Sequence, residues 1–295
     1  MKILITGANG FLGHYLTEQL LRADHLVIAT GKGESRLPFG GNSNFLYQSM
    51  DFTDPFSVHD AMTTHAPDVV VHAGAMSKPD ECEQNQWRAY ITNVEATVTM
   101  LVNAEEHRCF FVFISTDFVF DGEKGMYSED DSPNPVNFYG KTKLEAEEAV
   151  FEYEYDWAIV RTVLVYGKPQ SGRSNILTMV REKLDMGESY RVVDDQVRTP
   201  TYVEDLASGI VSIIEKRAKG VFHISGEDTL TPYQMACETA QLLGLNSSLL
   251  TRATAADFSQ PATRPPRTGF VIEKAKKLLG YKPISFSEGL RRTFE

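Results

Sequence analysis

Gly7-Ala8-Asn9-Gly10-Phe11-Leu12-Gly13 decides the fold. It leaves a short apolar run, Ile3 to Ile5, and opens a helical pattern near Phe11 to Leu21, so it reads as a strand-to-helix turn. Its glycines permit a tight turn and close approach to a pyrophosphate. The helix N-terminus adds unpaired N–H groups and a partial positive charge for that anion. Working outward, apolar runs recur at Leu26 to Ala29, Val69 to His72 and Phe111 to Ile114, with helical stretches between them. Strands apolar throughout fit a parallel sheet covered on both faces, and the helical spacers supply its right-handed crossovers. The expected architecture is α/β and doubly wound. Pro55 after Asp54 and Pro232 after Thr231 mark helix starts, whereas Gly187, Gly244 and Gly280 mark helix ends.

After Gly167 the alternation loosens, and a proline-rich stretch, Pro261 to Pro266, precedes a last short helix. This predicts a Rossmann-type dinucleotide-binding domain over 1–167 that also receives segments near 190–224. Residues 168–295 form mainly a smaller C-terminal substrate-binding lobe. The chain has 295 residues, 42% apolar and 23% charged, which is enough for such an arrangement. Its formal net charge of -11 argues against nucleic acid or an anionic membrane as partner, because both reward a basic surface. Cys82, Cys109 and Cys237 are odd in number and lack metal-type spacing, so a reduced, cytoplasmic setting is expected and no metal site. The N-terminus shows no basic leader, and no apolar run approaches the ~20 residues a bilayer requires.

The second apolar run ends in Thr30-Gly31-Lys32-Gly33, with Arg36 close by. An NAD site usually has a carboxylate there for the ribose hydroxyls. Its absence and the two cations favour a 2′-phosphate, hence NADPH over NADH, although Lys32 and Arg36 singly also read as solvated loop cations. Downstream, Ser115-Thr116-Asp117 is followed by Tyr139-Gly140-Lys141-Thr142-Lys143. Tyrosine and lysine four residues apart share one helix face. A free phenol titrates near ~10, and an adjacent cation favours its ionised form. Hydroxyl, phenol and ammonium together suit carbonyl reduction.

These residues resemble the extended short-chain dehydrogenase/reductase superfamily, and most closely its dTDP-4-dehydrorhamnose reductase family. The carrying segments are the Gly7 to Gly13 loop, Asp51-Phe52-Thr53-Asp54, His72-Ala73-Gly74-Ala75, Asn93, Ser115 to Gly122, the Tyr139/Lys143 pair, Arg161-Thr162 and Val192 to Gln196. The resemblance implies Thr116, Tyr139 and Lys143 as catalytic residues. For the cofactor it implies Gly7, Asn9, Gly10, Phe11, Leu12, Gly13, Lys32, Arg36, Asp51, Phe52, Ala73, Gly74, Ala75 and Asn93, together with Tyr139 and Lys143. Asp117, Val119, Asn175, Arg198 and Arg264 are implied for a nucleotide-sugar substrate, with Thr178 and Met179 beside them. Asn175 also reads as a helix start, and Arg198 as a structural ion pair. The helices near Asn93 to Glu106 and Leu144 to Phe151 imply a homodimer face.

Two departures are visible. Leu164 stands where the family usually has a tryptophan near the sugar, and Arg198 stands where it tends to have glycine. The implied activity is NADPH-dependent reduction of the C4 keto group of a nucleotide-linked 6-deoxy-4-keto sugar, most simply dTDP-4-dehydrorhamnose. Two alternatives stay open: an NAD-dependent nucleotide-sugar epimerase or dehydratase, and a non-catalytic NADP-binding subunit resembling the methionine adenosyltransferase beta subunit.

Overall fold

The computed structural model describes residues 1–170 and 175–295. Its strands are β1 (Lys2–Thr6), β2 (Leu26–Gly31), β3 (Phe45–Ser49), β4 (Val69–His72), β5 (Phe110–Thr116), β6 (Trp157–Thr162), β7 (Val165–Tyr166), β8 (Tyr190–Val193), β9 (Thr201–Tyr202), β10 (Gly220–His223) and β11 (Leu250–Ala253). Seven of them form one sheet in the order β10-β6-β5-β4-β1-β2-β3. Every pairing in it is parallel, with Leu4 opposite both Ile28 and Val70. Strand order reverses between β1 and β4, and in such sheets the crevice beyond the carboxyl ends of those strands receives the ligand. The doubly wound Rossmann-type fold expected from the sequence is therefore the fold observed.

Both faces of the sheet are buried, which is why the middle positions of its inner strands are apolar on both sides, with polar residues confined to the strand ends. Ile3, Ile5 and Val112 join a core layer with Leu16 and Leu20 of helix Phe11–Arg22 and Ile210 of helix Val203–Lys216. Leu4, Phe111 and Phe113 face the other way, onto Val58, Met100 and Ala146 from helices Pro55–His65, Ala96–Glu106 and Phe138–Phe151. The sequence signals were short at their ends. β2 continues to Gly31 and β5 to Thr116, because polar residues there still make ladder contacts. β3 carries no continuous apolar run, since it is an edge strand with mixed burial.

Helix boundaries follow local chemistry. Asp54 accepts a hydrogen bond from Phe56 N, Thr231 and Gln234 form a capping box, and Gly244 and Gly280 end helices in the left-handed region. The helix expected from Asn93 begins differently, as a π-helical turn over Ile91–Glu95 that passes into Ala96–Glu106. Val98, Val102 and Phe151, on the two helices implied as a dimer face, are exposed. Beyond the sheet, helices Ile176–Asp185 and Pro232–Leu243 pack with β8 and β11 around Val180, Leu184, Ala236 and Ala240. Among the described residues no helix is long and apolar enough to cross a membrane.

Candidate active site

A cavity of about 780 Å³ runs from the loop after β1, past the ends of β4 and β5, to helix Ile176–Asp185 and the 261–266 segment. Of the residues singled out from sequence, Gly7, Asn9, Gly10, Phe11, Leu12, Gly13, Lys32, Arg36, Phe52, Ala73, Gly74, Ala75, Thr116, Asp117, Tyr139, Lys143, Asn175, Arg198 and Arg264 line it. Asp51, Asn93, Val119, Thr178 and Met179 do not.

The loop after β1 is a backbone cradle. Gly7 sits at φ +68°, a side chain on Gly10 would start 2.9 Å from Gly7 O, and one on Gly13 would start 2.5 Å from both Gly7 O and Ala8 Cα. Gly10 caps helix Phe11–Arg22 without a side-chain hydrogen bond. Its first-turn N–H groups are thus offered to the cavity, and the site fits the pyrophosphate of a dinucleotide. At the end of β2, Lys32 Nζ lies 2.7 Å from Asp51 Oδ2. Burial works against the Asp51 carboxylate, but hydrogen bonds from Lys32 and Thr53 outweigh it and hold the group below the usual range. Asp51 is therefore engaged by the cation loop.

At the middle of the cavity, Gly140 lets helix Phe138–Phe151 approach the end of β5. A side chain there would start 2.1 Å from Phe118 O. Tyr139 is nearly buried and packs edge-on against Phe118 at 5.9 Å. Lys143 is 2% exposed, with Nζ 3.8 Å from the centre of the Phe113 ring. Burial pushes its ammonium down to about 7, against the opposing pull of Glu147 and Cys82. Thr116 donates to Asp117 Oδ1 at 3.1 Å and accepts from Phe118 N at 3.2 Å. Asp117 is buried, accepts from Thr268 and lies 3.8 Å from Arg198 Nε. Burial raises its carboxyl, with Arg198 pulling the other way.

Several residues implied as ligand contacts have structural occupations. Val119 is wholly buried in the core, so its side chain is a packing group and does not reach a substrate. Asn93 is buried in the π-helical turn, where Oδ1 accepts from Met76 N and Nδ2 donates to Met76 O and Thr142 Oγ1. It ties the loop after β4 to the Tyr139 helix. Arg198 spends Nη1 on the carbonyls of Val197 and Pro266, and Nη2 on Pro265 O and Gln196. It is a strut with no free fork for a diphosphate. Arg264 is gripped end-on by Asp80, Nη1 to Oδ1 at 2.5 Å and Nη2 to Oδ2 at 2.6 Å, with Ala262 O on Nη1. Among the described residues its Nε edge carries no hydrogen bond. Asn175 caps helix Ile176–Asp185 while donating to Gly167 O, and Thr178 completes the capping box.

Two pairings have no signal along the chain. Asp80 is 184 positions from its arginine partner, and nothing local announces the pair. Glu147 and Arg161 form a buried ion pair that fastens the Tyr139 helix to β6, Nη2 to Oε2 at 2.6 Å. Leu164 lines the cavity at φ +33°, a strained angle for a leucine, so the departure noted in sequence faces the site.

The family model described as RmlD substrate binding domain matches residues 1–295. Methionine adenosyltransferase 2 subunit beta from Bos taurus is 34% identical over 255 residues, covering 84% of this chain and 74% of that protein. Spore coat polysaccharide biosynthesis protein SpsK from Bacillus subtilis is 30% identical over 291 residues, covering 98% and 95%. Among solved structures, dTDP-4-dehydrorhamnose reductase from Bacillus anthracis in complex with NADP superposes with a TM-score of 0.85 at 27% identity, covering 100% and 99%. With its glycine cradle, threonine, tyrosine and lysine gathered in one cavity, the chain belongs to the RmlD substrate binding domain family, the dTDP-4-dehydrorhamnose reductase-like branch of the extended short-chain dehydrogenase/reductases.

Proposed function

We propose that the protein is an NADPH-dependent reductase acting on the C4 carbonyl of a nucleotide-linked 6-deoxy-4-keto sugar, with dTDP-4-dehydrorhamnose the leading substrate. One observation carries the reading: a single cavity joins the glycine cradle to Thr116, Tyr139 and Lys143 and continues to Arg264. The NADP complex of the similar Bacillus anthracis reductase supports the cofactor, and the name of the Bacillus subtilis relative supports a role in making polysaccharide precursors.

When bound, NADPH supplies the reducing equivalent to the carbonyl carbon. Tyr139 donates its phenolic proton to the carbonyl oxygen as negative charge develops there. Lys143 holds the nicotinamide ribose and stabilises the phenolate left behind. The Thr116 proton is engaged by Asp117, so Thr116 presents an oxygen lone pair to the cavity, an acceptor for a sugar hydroxyl. Lys32 and Arg36 neutralise the 2′-phosphate, Lys32 turning to it from its ion pair with Asp51 and Arg36 from its hydrogen bond to Asn9 O. The free Nε edge of Arg264 faces the substrate's diphosphate, where a planar guanidinium suits paired oxygens.

A second reading draws on the 34% identity to the bovine methionine adenosyltransferase subunit beta: an NADP-binding regulatory subunit. Oxidation of NADPH with dTDP-, GDP- and UDP-linked 4-keto sugars separates the two. The reductase reading expects turnover with at least one of them. No turnover across the panel, together with co-purification of a synthetase, would replace it with the regulatory reading.

A further inference from the structure

The two cations after β2 ride on residues 32–36, an exposed segment without helix or strand. Gly33 within it sits at φ +73°. Such a segment samples many conformations, and holding two flexible side chains toward one phosphate costs entropy unless the backbone is fixed first. Here it is fixed at one oxygen. Tyr47, on edge strand β3, places Oη 3.0 Å from Gly31 O, 3.0 Å from Gly33 O and 3.4 Å from Glu34 O. Asn9 Nδ2 donates to the same Oη at 2.8 Å and to Glu34 O at 3.1 Å. Asn9 Oδ1 accepts from Arg36 N at 2.9 Å, and Ser49 Oγ accepts from Gly33 N at 3.2 Å. The phenol thus joins the cation loop to the glycine cradle through Asn9, from outside the cavity.

We propose that Tyr47 is the positioning residue for recognition of the cofactor's 2′-phosphate: it holds the loop carbonyls so that Lys32 and Arg36 stand together at the cavity, without touching the ligand itself. The inference rests on the NADPH assignment above. A phenylalanine would fill the same space yet remove the one phenolic proton that the three carbonyls share and the acceptor of the Asn9 amide; Gly31 O would keep Met50 N and Glu34 O would keep Asn9 Nδ2, so the loss falls on Gly33 O and Asn9. The loop would lose its register. The Gly7 to Gly13 cradle holds a pyrophosphate through backbone groups, and only the Asn9 side chain within it loses a partner, so the loss falls chiefly on the 2′-phosphate.

The test is calorimetric titration of the full chain with 2′,5′-ADP and with ADP. Tyr47→Phe should bind 2′,5′-ADP about fivefold to tenfold more weakly while its ADP affinity stays within about twofold of the parent. Ser49→Ala, which takes from the end of β3 the acceptor of Gly33 N, should move in the same direction by less, and decides the matter if Tyr47→Phe does not fold. Equal weakening of both ligands, or unchanged 2′,5′-ADP binding, overturns the proposal. A Lys32→Ala/Arg36→Ala double variant separates the two levels. If it loses the preference for 2′,5′-ADP while Tyr47→Phe and Ser49→Ala keep it, the positioning role fails and the NADPH assignment stands. If the double variant binds 2′,5′-ADP as tightly as the parent, the NADPH assignment itself fails.

Discussion

The Lys143 ammonium stands 3.8 Å above the centre of the Phe113 ring, so a π face occupies a position where an exposed lysine would have water. The ring does not compensate for burial, which holds the group down at about 7. In the unfolded chain a lysine titrates near ~10.4. Between these values the unfolded state binds more protons than the native one, so stability rises with pH across that window. As pH falls through about 7 the buried group is charged and its desolvation cost is present in full. Lys143→Met should therefore melt above the parent at about pH 6, with the gap narrowing toward about pH 10. A gap that ignores pH in thermal unfolding would contradict this.

Tyr139→Phe should leave folding and cofactor affinity nearly intact, because its ring packing against Phe118 is retained. Turnover should fall by roughly 10²–10⁴-fold, the usual worth of a positioned proton donor. Near-normal turnover would end the acid role.

The two arginines near the cavity should answer differently to the same change. Arg198→Met strands the buried Asp117 and releases four hydrogen-bonded partners, Val197 O, Pro266 O, Pro265 O and Gln196. Removing one partner of such a pair costs about 3–5 kcal/mol, which urea unfolding would register. Arg264→Met leaves Asp80 partly exposed to water, so its stability loss should be about 1 kcal/mol, with a KM for the sugar nucleotide raised at least about tenfold and kcat changed less. A reversed pattern would restore Arg198 as the anion anchor.

Gly13→Ala should abolish cofactor binding. The added methyl would start 2.5 Å from the backbone of Ala8 and Gly7, forcing the cradle open rather than displacing a flexible side chain. Dinucleotide titration of a variant whose circular dichroism is unchanged gives the check, and parent-like affinity would show that the cradle tolerates a wider turn.

The fold was legible where one physical cause acts over short distances. Apolar runs at Ile3 to Ile5 and Val69 to His72 marked strands because both faces of the sheet are covered, and Pro55, Gly244 and Gly280 marked helix ends because their backbone preferences are local. The edge strand β3 was not legible, since half-exposed positions remove the apolar signature. Nor was the π-helical turn at Asn93, which depends on partners at Met76 and Thr142.

By itself the sequence determined the chemistry-bearing parts: the glycine loop, Thr116, the Tyr139 and Lys143 spacing, and the cations after β2. Each is a property of neighbours in the chain, governed by turn geometry and helix periodicity. Tertiary structure alone decided what those parts are free to do. It commits Arg198 to backbone carbonyls, aims Arg264 with an aspartate 184 residues away, and buries Lys143 until its charge is marginal. It also hangs the cation loop on Tyr47. The reason is that hydrogen-bond partnership and desolvation are set by what folds against a group, and neither can be read along the chain.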